Sequence, residues 1–420
     1  MNKYQVLNLI ILNKNNIIYK KIVDNEAIMR YYQNNLINKV YKVTERTYMT
    51  QIVGTPSAIK LLNKDVIEEM IRSKGPITKP EIANLTKLSL VTVNKTVAIL
   101  LEEKKVKVSG VNKSTGGRRA QFFEINDEVN YYIGLYYDKN HYIGAISNSI
   151  GKIIFEQKFS IRIDIYEEVM EDTYSALDLL IARCEEHIIK AIGIGVPGVV
   201  KEGIITNIPN IPTWEGKDIA GLISEKYQIP VYLENDINLT TLGVYALKYQ
   251  KDKINNLALI YLEQGLGSGF IINSSLFKGT TNFAGELGYL PVQNNFPSAG
   301  KTTKYKGNFE AQISLINEAI EHSNKNELVI YKEMLINTIT NGLLSVICVL
   351  NPEIIVINHS YITNQDCRSI GRLLGTWIDD SNIPVIINAQ NLNKCSIHGV
   401  FTMCISESTL SYSLSNKKRG

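Results

Sequence analysis

The 420-residue sequence predicts a mixed α/β chain, an N-terminal winged helix-turn-helix followed by a bilobal α/β domain. Three observations carry the prediction. Between residues 49 and 126 a helix, a turn, a second helix and a glycine-arginine hairpin arrive in order. Net charge is +5 over residues 1–48, +6 over 49–126 and −7 over 127–420, so a basic front end precedes an acidic body. From residue 131 onward, two strand-rich stretches with interposed helices succeed each other. Lys and Arg neutralise phosphates, which places nucleic-acid contact in the front and keeps the body off DNA.

Residues 1–48 have no clean 3.6 or 2.0 period and are rich in Asn, Ile, Lys and Tyr. Three readings stay open for this extension, expected to be of low order: a basic arm on DNA, a short helix against the body, or translated upstream sequence before a start at Met49. The third is preferred, because MTQIVGTPSAIKLLNKDVI reads as the opening of a regulator, with Thr55 and Pro56 at the N-cap and first turn of a helix. A winged domain then spans 49–126 and the body 127–420.

Asn63–Arg72 places Val66, Ile67, Met70 and Ile71 on one face, an amphipathic helix that Gly75-Pro76 ends. Thr78 followed by Glu81 is a capping-box pattern that opens a helix over Lys79–Thr86, and Leu85–Leu88 is the turn. Ser89 caps the next helix, whose buried stripe is Val93, Val97, Leu100 and Leu101. Its first turn presents Val91, Thr92, Asn94 and Lys95 outward, where short polar side chains can meet base edges. Val106 and Val108 read as a strand, Ser114–Gly117 as a tight turn, and Phe122–Ile125 as a second strand preceded by Arg118 and Arg119. Two arginines at a hairpin tip suit phosphates or a minor groove. The DNA-contacting candidates are therefore Ser89, Thr92, Asn94, Lys95, Arg118 and Arg119, and the partner is operator DNA.

In the body, residues 131–159 read as a three-stranded meander with turns at 138–140 and 148–151. A helix over Tyr166–His187, a buried strand over Ala191–Val200, the loop NIPNIPTWEG, another helix and the strand PVYLEND follow. A second cycle opens with LALIYLEQGLGSGFIINSSLFKG. Two such halves imply a ligand cleft between lobes. Asn235 and Asp236 leave a buried strand at its C-terminal edge, where α/β clefts open, and also suit the cap of a helix over Leu239–Tyr249. Apolar residues make up 45% with no run of membrane-spanning length, no signal peptide stands out, and five scattered cysteines form no CxxC pair. A soluble cytoplasmic protein is expected, without membrane contact.

GIGVPG (193–198), NIPNIPTW (207–214), ENDINLTTLG (234–243), GLGSGFIINSSLFKG (265–279), NFAGELGY (282–289) and LNPEIIVI (350–357) closely resemble the ROK family of repressors, open reading frames and kinases. With the winged helix, the resemblance is to its xylose-repressor-like and N-acetylglucosamine-repressor-like transcription factors. It implies a ribonuclease-H-like, actin-type ATPase fold, a homodimer or homotetramer, and a small sugar or sugar phosphate between the lobes. It also implies sugar contacts at Asn210, Asn235, Asp236 and Glu286, with Asp236 at the position of the kinase base and Trp214 packing behind the loop. Tyr289 stands where family members carry a zinc-binding or sugar-contacting His.

The departures from the family's kinases shape the rest of the expectation. Tyr136-Tyr137-Asp138-Lys139-Asn140 replaces the glycine-rich first phosphate loop, and Asn358, His359 and Ser360 replace the adenosine-loop glycines. Gly265–Gly269 keeps the pattern of a second phosphate loop and equally that of a hairpin turn. No cysteine cluster follows Tyr289, and the five histidines have no ligand-like spacing. No cofactor, metal or kinase activity is expected. The functions weighed are a sugar-responsive repressor of carbohydrate-utilisation genes, a sugar kinase with an appended DNA-binding module, and a regulator that has lost its sugar.

Overall fold

The computed structural model describes residues 11–13, 16–18, 56–111, 120–138, 141–160, 165–206, 208, 211–263, 265–291 and 307–415. The chain divides into two compact units, Met1–Asn126 and Asp127–Gly420. Within the N-terminal extension, β1 (Ile11–Asn13) and β2 (Asn16–Ile18) pair antiparallel, a short hairpin in a stretch whose sequence shows no period.

From Pro56 onward, the described residues of the first unit form three helices and three strands, a winged helix. Helix α1 (Pro56–Lys74) begins earlier than its apolar period indicates, since the fixed φ of proline suits the first helical turn. Strand β3 (Ile77–Thr78) leads into α2 (Lys79–Thr86), where Thr78 Oγ1 accepts from Glu81 N at 3.5 Å and Glu81 Oε2 accepts from Thr78 N at 2.8 Å. Lys87, in the left-handed region at φ 57°, ends α2. Ser89 Oγ accepts from Thr92 N at 3.1 Å and opens α3 (Leu90–Glu102). Val93, Val97 and Leu100 are buried with Ile67, Ile71, Ile82 and Phe123, and Leu101 packs against that cluster. Strands β4 (Val106–Val111) and β5 (Gln121–Ile125) form the wing in the order β3-β5-β4. A bulge between Val108 and Gly110 breaks the inward alternation, leaving Val106 buried and Val108 exposed. Glu68 on α1 meets Lys105 Nζ at 2.8 Å, fixing the start of the wing to the first helix.

The second unit holds two five-stranded sheets of identical plan. The first runs β12-β9-β6-β7-β8 and the second β15-β14-β13-β16-β17. Each is an antiparallel meander, β6 (Asn130–Asp138), β7 (His141–Asn148), β8 (Ile153–Ser160) or β13 (Leu257–Tyr261), β14 (Gly267–Ile272), β15 (Ser275–Phe277). Two parallel strands extend each meander: β9 (Ile188–Val196) and β12 (Val231–Asn235) in the first, β16 (Ile354–Asn358) and β17 (Val385–Asn388) in the second. This duplication is the ribonuclease-H-like architecture that the family resemblance implies.

The sheets alternate with helices in five layers. Helices α4 (Tyr166–Arg183) and α5 (Ile219–Tyr227) cover the outer face of the first sheet through Leu177, Leu180, Ile219 and Ile223. Helices α7 (Asn308–Glu321), α8 (Lys325–Leu350) and α9 (Asn364–Leu374) cover the outer face of the second. Between the sheets lie α6 (Asp236–Val244) and α10 (Asn393–Ser415). Leu239 of α6 and Ile397, Val400 and Phe401 of α10 pack on the first sheet, while Val244 and Cys395 pack on the second. One helical layer thus serves two cores.

Three sequence boundaries shift, and one composition-based expectation is corrected. Helix α4 ends at Arg183 instead of reaching His187, and Glu185 adopts φ 50° in the turn to β9. The run Ala191–Val200 is interrupted at Pro197-Gly198, because proline donates no ladder hydrogen bond and Gly198 takes φ 92°; β10 (Val199–Lys201) and β11 (Ile204–Thr206) form a separate hairpin. Helix α6 starts at Asp236, not Leu239, directly off β12, and closes in a π-helical turn over Tyr245–Tyr249. Contrary to the composition-based expectation, α8 is long and apolar enough to cross a membrane, with no charged residue from Met334 to Leu350. Its inward residues Leu335, Ile339, Leu343 and Ile347 are the core of the second lobe, which accounts for the apolar run.

Helices α6 and α10 cross backbone to backbone. A Cβ on Gly399 would lie 1.8 Å from Leu239 O, and one on Gly243 would lie 1.7 Å from Cys395 O. Gly399→Ala is therefore expected to destabilise by at least about 2 kcal/mol in denaturant unfolding, because neither backbone can yield without moving a sheet. Gly371→Ala, on the open side of α9 with nothing within 4 Å, serves as the control and should be neutral or slightly stabilising. Equal effects of the two substitutions would show that the helix crossing tolerates separation.

Candidate functional site

The first candidate surface is the start of α3. Its N-cap is occupied internally, since Ser89 Oγ and Thr92 Oγ1 lie 2.8 Å apart and Ser89 also holds Thr92 N. The pair fixes the pitch of the first turn. Val91 is 63% exposed and Asn94 and Lys95 are also exposed, while Val93, Thr96 and Val97 face inward. One turn therefore offers a methyl-bearing side chain, an amide and an ammonium to the outside, groups that match thymine methyl, adenine and guanine or phosphate. Arg118, Arg119 and the Ser114–Gly117 turn lie outside the described residues.

The second candidate is the corner where β12 becomes α6. The strand delivers Glu234 and Asn235, and the helix begins at Asp236. Asn235 Oδ1 accepts from Asn238 N at 3.0 Å, the helix cap. Both protons of its amide are engaged, to Gly198 O and to Asp236 Oδ1, each at 2.9 Å. Asn235 thus orients the Asp236 carboxylate and ties it to the GIGVPG turn. Asp236 Oδ1 also accepts from Ile237 N at 2.8 Å, and the carboxylate sits at the positive end of α6.

The remaining residues approach from the second lobe. Strand β14 lies on α6: a Cβ on Gly267 would meet Ile237 Cγ1 at 2.7 Å and one on Gly269 would meet Thr241 Oγ1 at 2.1 Å. These glycines belong to a strand, and close helix packing is sufficient reason for them. Ser268, between them, donates to Gly285 O at 2.5 Å, which anchors the segment bearing Glu286 beside β14. Glu286 is half-buried at the start of a short 3-10 turn, Leu287–Tyr289. Tyr289, 40% exposed, stands 5.5 Å ring to ring from Phe283. Asn210 lies outside the described residues. The structure therefore joins Asn235 and Asp236 directly and brings Glu286 and Tyr289 in on a neighbouring segment.

Sequence reasoning missed Glu234 and Lys278. Glu234 is buried, and its carboxylate pairs with Lys278 Nζ and accepts from Asn235 N at 2.9 Å and Asn238 Nδ2 at 3.0 Å. A charged residue at the end of an apolar run demands partners, which was the available signal; the strand expected to be buried is an edge strand in which Glu234 alone is buried. Its cationic partner 44 residues away was not legible.

Two aromatic and polar clusters occupy positions singled out in the sequence. Tyr136 and Tyr137 are buried; Tyr136 Oη lies 3.4 Å from Thr240 Oγ1, and Tyr137 bonds to Thr173 and meets Trp214 edge-on at 5.4 Å. Trp214 is fully buried, in one core cluster with Ile208 and Ile219. After β16, Asn358 Nδ2 donates to Ala389 O at 2.7 Å and Asn388 Nδ2 to Ile362 O at 2.6 Å. His359 Nδ1 accepts from Tyr361 N at 3.1 Å, so Nε2 carries the proton it gives to Asn317 Oδ1 at 2.9 Å. Burial pushes the His359 pKa down to about 4, keeping the ring neutral. Among the described residues, no group of three or more His, Cys, Asp or Glu side chains is placed to hold a metal.

With this geometry in place, residues 132–302 match the ROK family. Those residues therefore form a domain similar to the ROK family. The fold of that domain continues past the matched residues through β16, β17 and α10. The chain is 30% identical over 251 residues to the xylose repressor of Caldicellulosiruptor bescii, covering 57% of this chain and 61% of that protein. It is 26% identical over 333 residues to the xylose repressor of Bacillus spizizenii, covering 74% and 86%. The chain thus spans about three fifths of the first relative's length. Among solved structures, a ROK family transcriptional regulator, a homologue of the E. coli MLC protein, superposes with a TM-score of 0.71 at 17% identity. That match covers 84% of this chain and 98% of the other, and it supports the fold.

The His359 cluster yields a test. The folded pKa lies below the unfolded value near 6.5, so stability is greatest above pH 6.5 and falls as pH drops towards 4, where the unfolded chain takes up a proton that the native ring refuses. Between pH 6.5 and 4.5 the wild-type chain should lose about 2 kcal/mol more than His359→Gln in denaturant unfolding. Parallel pH profiles would mean that the ring is not held neutral.

Proposed function

We propose that this chain is a sugar-responsive, DNA-binding transcriptional repressor of carbohydrate-utilisation genes. The observation that carries the reading is the outward first turn of α3, with Val91, Asn94 and Lys95 exposed beside an internally satisfied cap, in the same chain as a ROK family domain. The relatives named xylose repressor support it and make D-xylose the first effector to test. In this reading Asn94 and Lys95 enter the major groove, Arg118 and Arg119 reach phosphate or the minor groove, and the chain acts as a cytoplasmic homodimer or homotetramer. Asp236, held by Asn235, accepts sugar hydroxyls, joined by Glu286, Tyr289 and Asn210.

The rival reading is a sugar kinase, in which Asp236 takes a hydroxyl proton. Two observations favour the repressor. Phosphate binding needs close backbone approach, yet Tyr136 and Tyr137 fill the first-loop position with buried rings. The segment after β16 is closed by the Asn358, His359 and Asn388 hydrogen bonds in place of open glycines. To release DNA, the effector must bind the free form better than the DNA-bound form, since equal affinity shifts nothing.

A thermal-shift screen of D-xylose, D-glucose, N-acetylglucosamine and their phosphates tests ligand class; a ligand at 100 times its Kd adds about 2.7 kcal/mol. Asp236→Ala should weaken binding of the responding sugar at least tenfold, about 1–3 kcal/mol, while operator affinity stays unchanged. Wild-type sugar affinity in that variant would move the effector site elsewhere, and ATP-dependent phosphorylation lost in Asp236→Asn would establish the kinase instead.

On duplexes selected from a random pool by the protein itself, Asn94→Ala should relax preference at one or two base positions, costing about 1–3 kcal/mol there. A uniform loss on every duplex, with a flatter salt dependence, would make that residue a backbone contact.

A further inference from the structure

Segment 278–282 follows β15 in the second lobe, yet it is fastened to the first lobe at two points. Lys278 Nζ pairs with the Glu234 carboxylate at the end of β12, and Asn282 Nδ2 donates to Val200 O in β10. The Glu234 side chain is 4% exposed, whereas that of Lys278 is 32% exposed. On the first-lobe side, Glu234 directly precedes Asn235 and Asp236 and grips the corner through Asn235 N and Asn238 Nδ2. On the second-lobe side, the next residues after Asn282 are Phe283–Tyr289, which carry Glu286 and Tyr289.

We propose that the Glu234–Lys278 ion pair is a strap across the lobes that sets the separation of the two halves of the sugar site. Glu234 and Lys278 are then positioning residues for a polyol effector, and neither touches it. The inference rests on the sugar-site reading above and deepens it. A carboxylate removed from water holds its place only while its partners remain, and loss of the cation leaves an uncompensated charge that forces the corner to rearrange. The unequal exposure gives the strap a direction of opening. A cavity of about 440 Å³, lined by Val231, Leu233, Glu234, Lys278 and Met403, opens beside the pair, so the lysine can part from Glu234 into solvent while both sheets stay intact. Closed, the strap presents the Asp236 corner and the Glu286 segment to one sugar; open, it separates them.

Hydrogen–deuterium exchange on the ligand-free full chain tests the strap independently of any sugar. Lys278→Met and Glu234→Gln should each raise amide exchange about tenfold or more in 231–238 and in 279–290, with β13 and β16 unchanged. Lys278→Arg should restore wild-type protection, and the double variant should add nothing to the larger single effect, as expected of two partners in one interaction. Among variants that fold, D-xylose affinity should track the exchange, falling tenfold or more in Lys278→Met and recovering in Lys278→Arg. Unchanged exchange in either segment of Lys278→Met, or a rise shared by β13 and β16, overturns the strap. If the wild-type chain binds D-xylose and none of the variants alters that affinity, the pair positions nothing for the sugar. If the wild type binds no sugar at all, the effector reading fails, and the exchange comparison still decides whether the lobes are strapped.

Discussion

The close crossing of α6 and α10 is the contact on which the larger unit depends. Two five-stranded sheets must each bury an inner face, and they do so against one shared pair of helices. Gly243 and Gly399 let the two backbones touch, which keeps that middle layer thin enough for Leu239 and Val400 to fill one core while Val244 and Cys395 fill the other. A side chain at the crossing would move one sheet relative to the other. The candidate ligand site inherits this precision, because Asp236 is the first residue of α6 and its direction is that of the helix.

The candidate corner is ordered by a single side chain. Asn235 caps α6 with its oxygen and holds Gly198 and Asp236 with its amide protons. Capping and orientation thus use one side chain, and the carboxylate is left as the group whose direction is prepared. Preorganisation of this kind lowers the cost of binding, since the polar groups need no rearrangement when a ligand arrives. The buried Glu234 beneath the corner extends the same network to Asn238 and, through Lys278, to the second lobe.

In the winged unit, local chemistry controls more of the outcome. Thr78 with Glu81, and Ser89 with Thr92, close two helix N-termini through side chains three residues away. The core then needs only Ile67, Ile71, Ile82, Val93, Val97, Leu100 and Phe123 to fix the angles between three short helices. The capping groups are satisfied inside the protein, and Val91, Asn94 and Lys95 are among the residues that α3 leaves outward.

The sequence by itself determined the order and kind of the elements wherever the causes are local. The Thr78–Glu81 capping box, the Ser89 cap, the 3.6 period of α3, the meander and the cycle beginning at Leu257 were all legible, as was the adjacency of Asn235 and Asp236. Tertiary structure decided what depends on partners far away in the chain. Glycines at 267 and 269 suit a phosphate loop or a hairpin turn by sequence, and only the fold shows how closely α6 lies on them. The long apolar run of α8 went unnoticed in the sequence, and the core it fills is visible only in the fold. The bulge at Val108 to Gly110 and the start of α6 at Asp236 follow from strand pairing and from β12, not from periodicity. Glu234 and Lys278 are the clearest case, two unremarkable charges 44 residues apart whose meaning comes from burial and from a partner that only the fold supplies. Local propensity acts over a few residues, whereas burial and long-range pairing are properties of the packed chain.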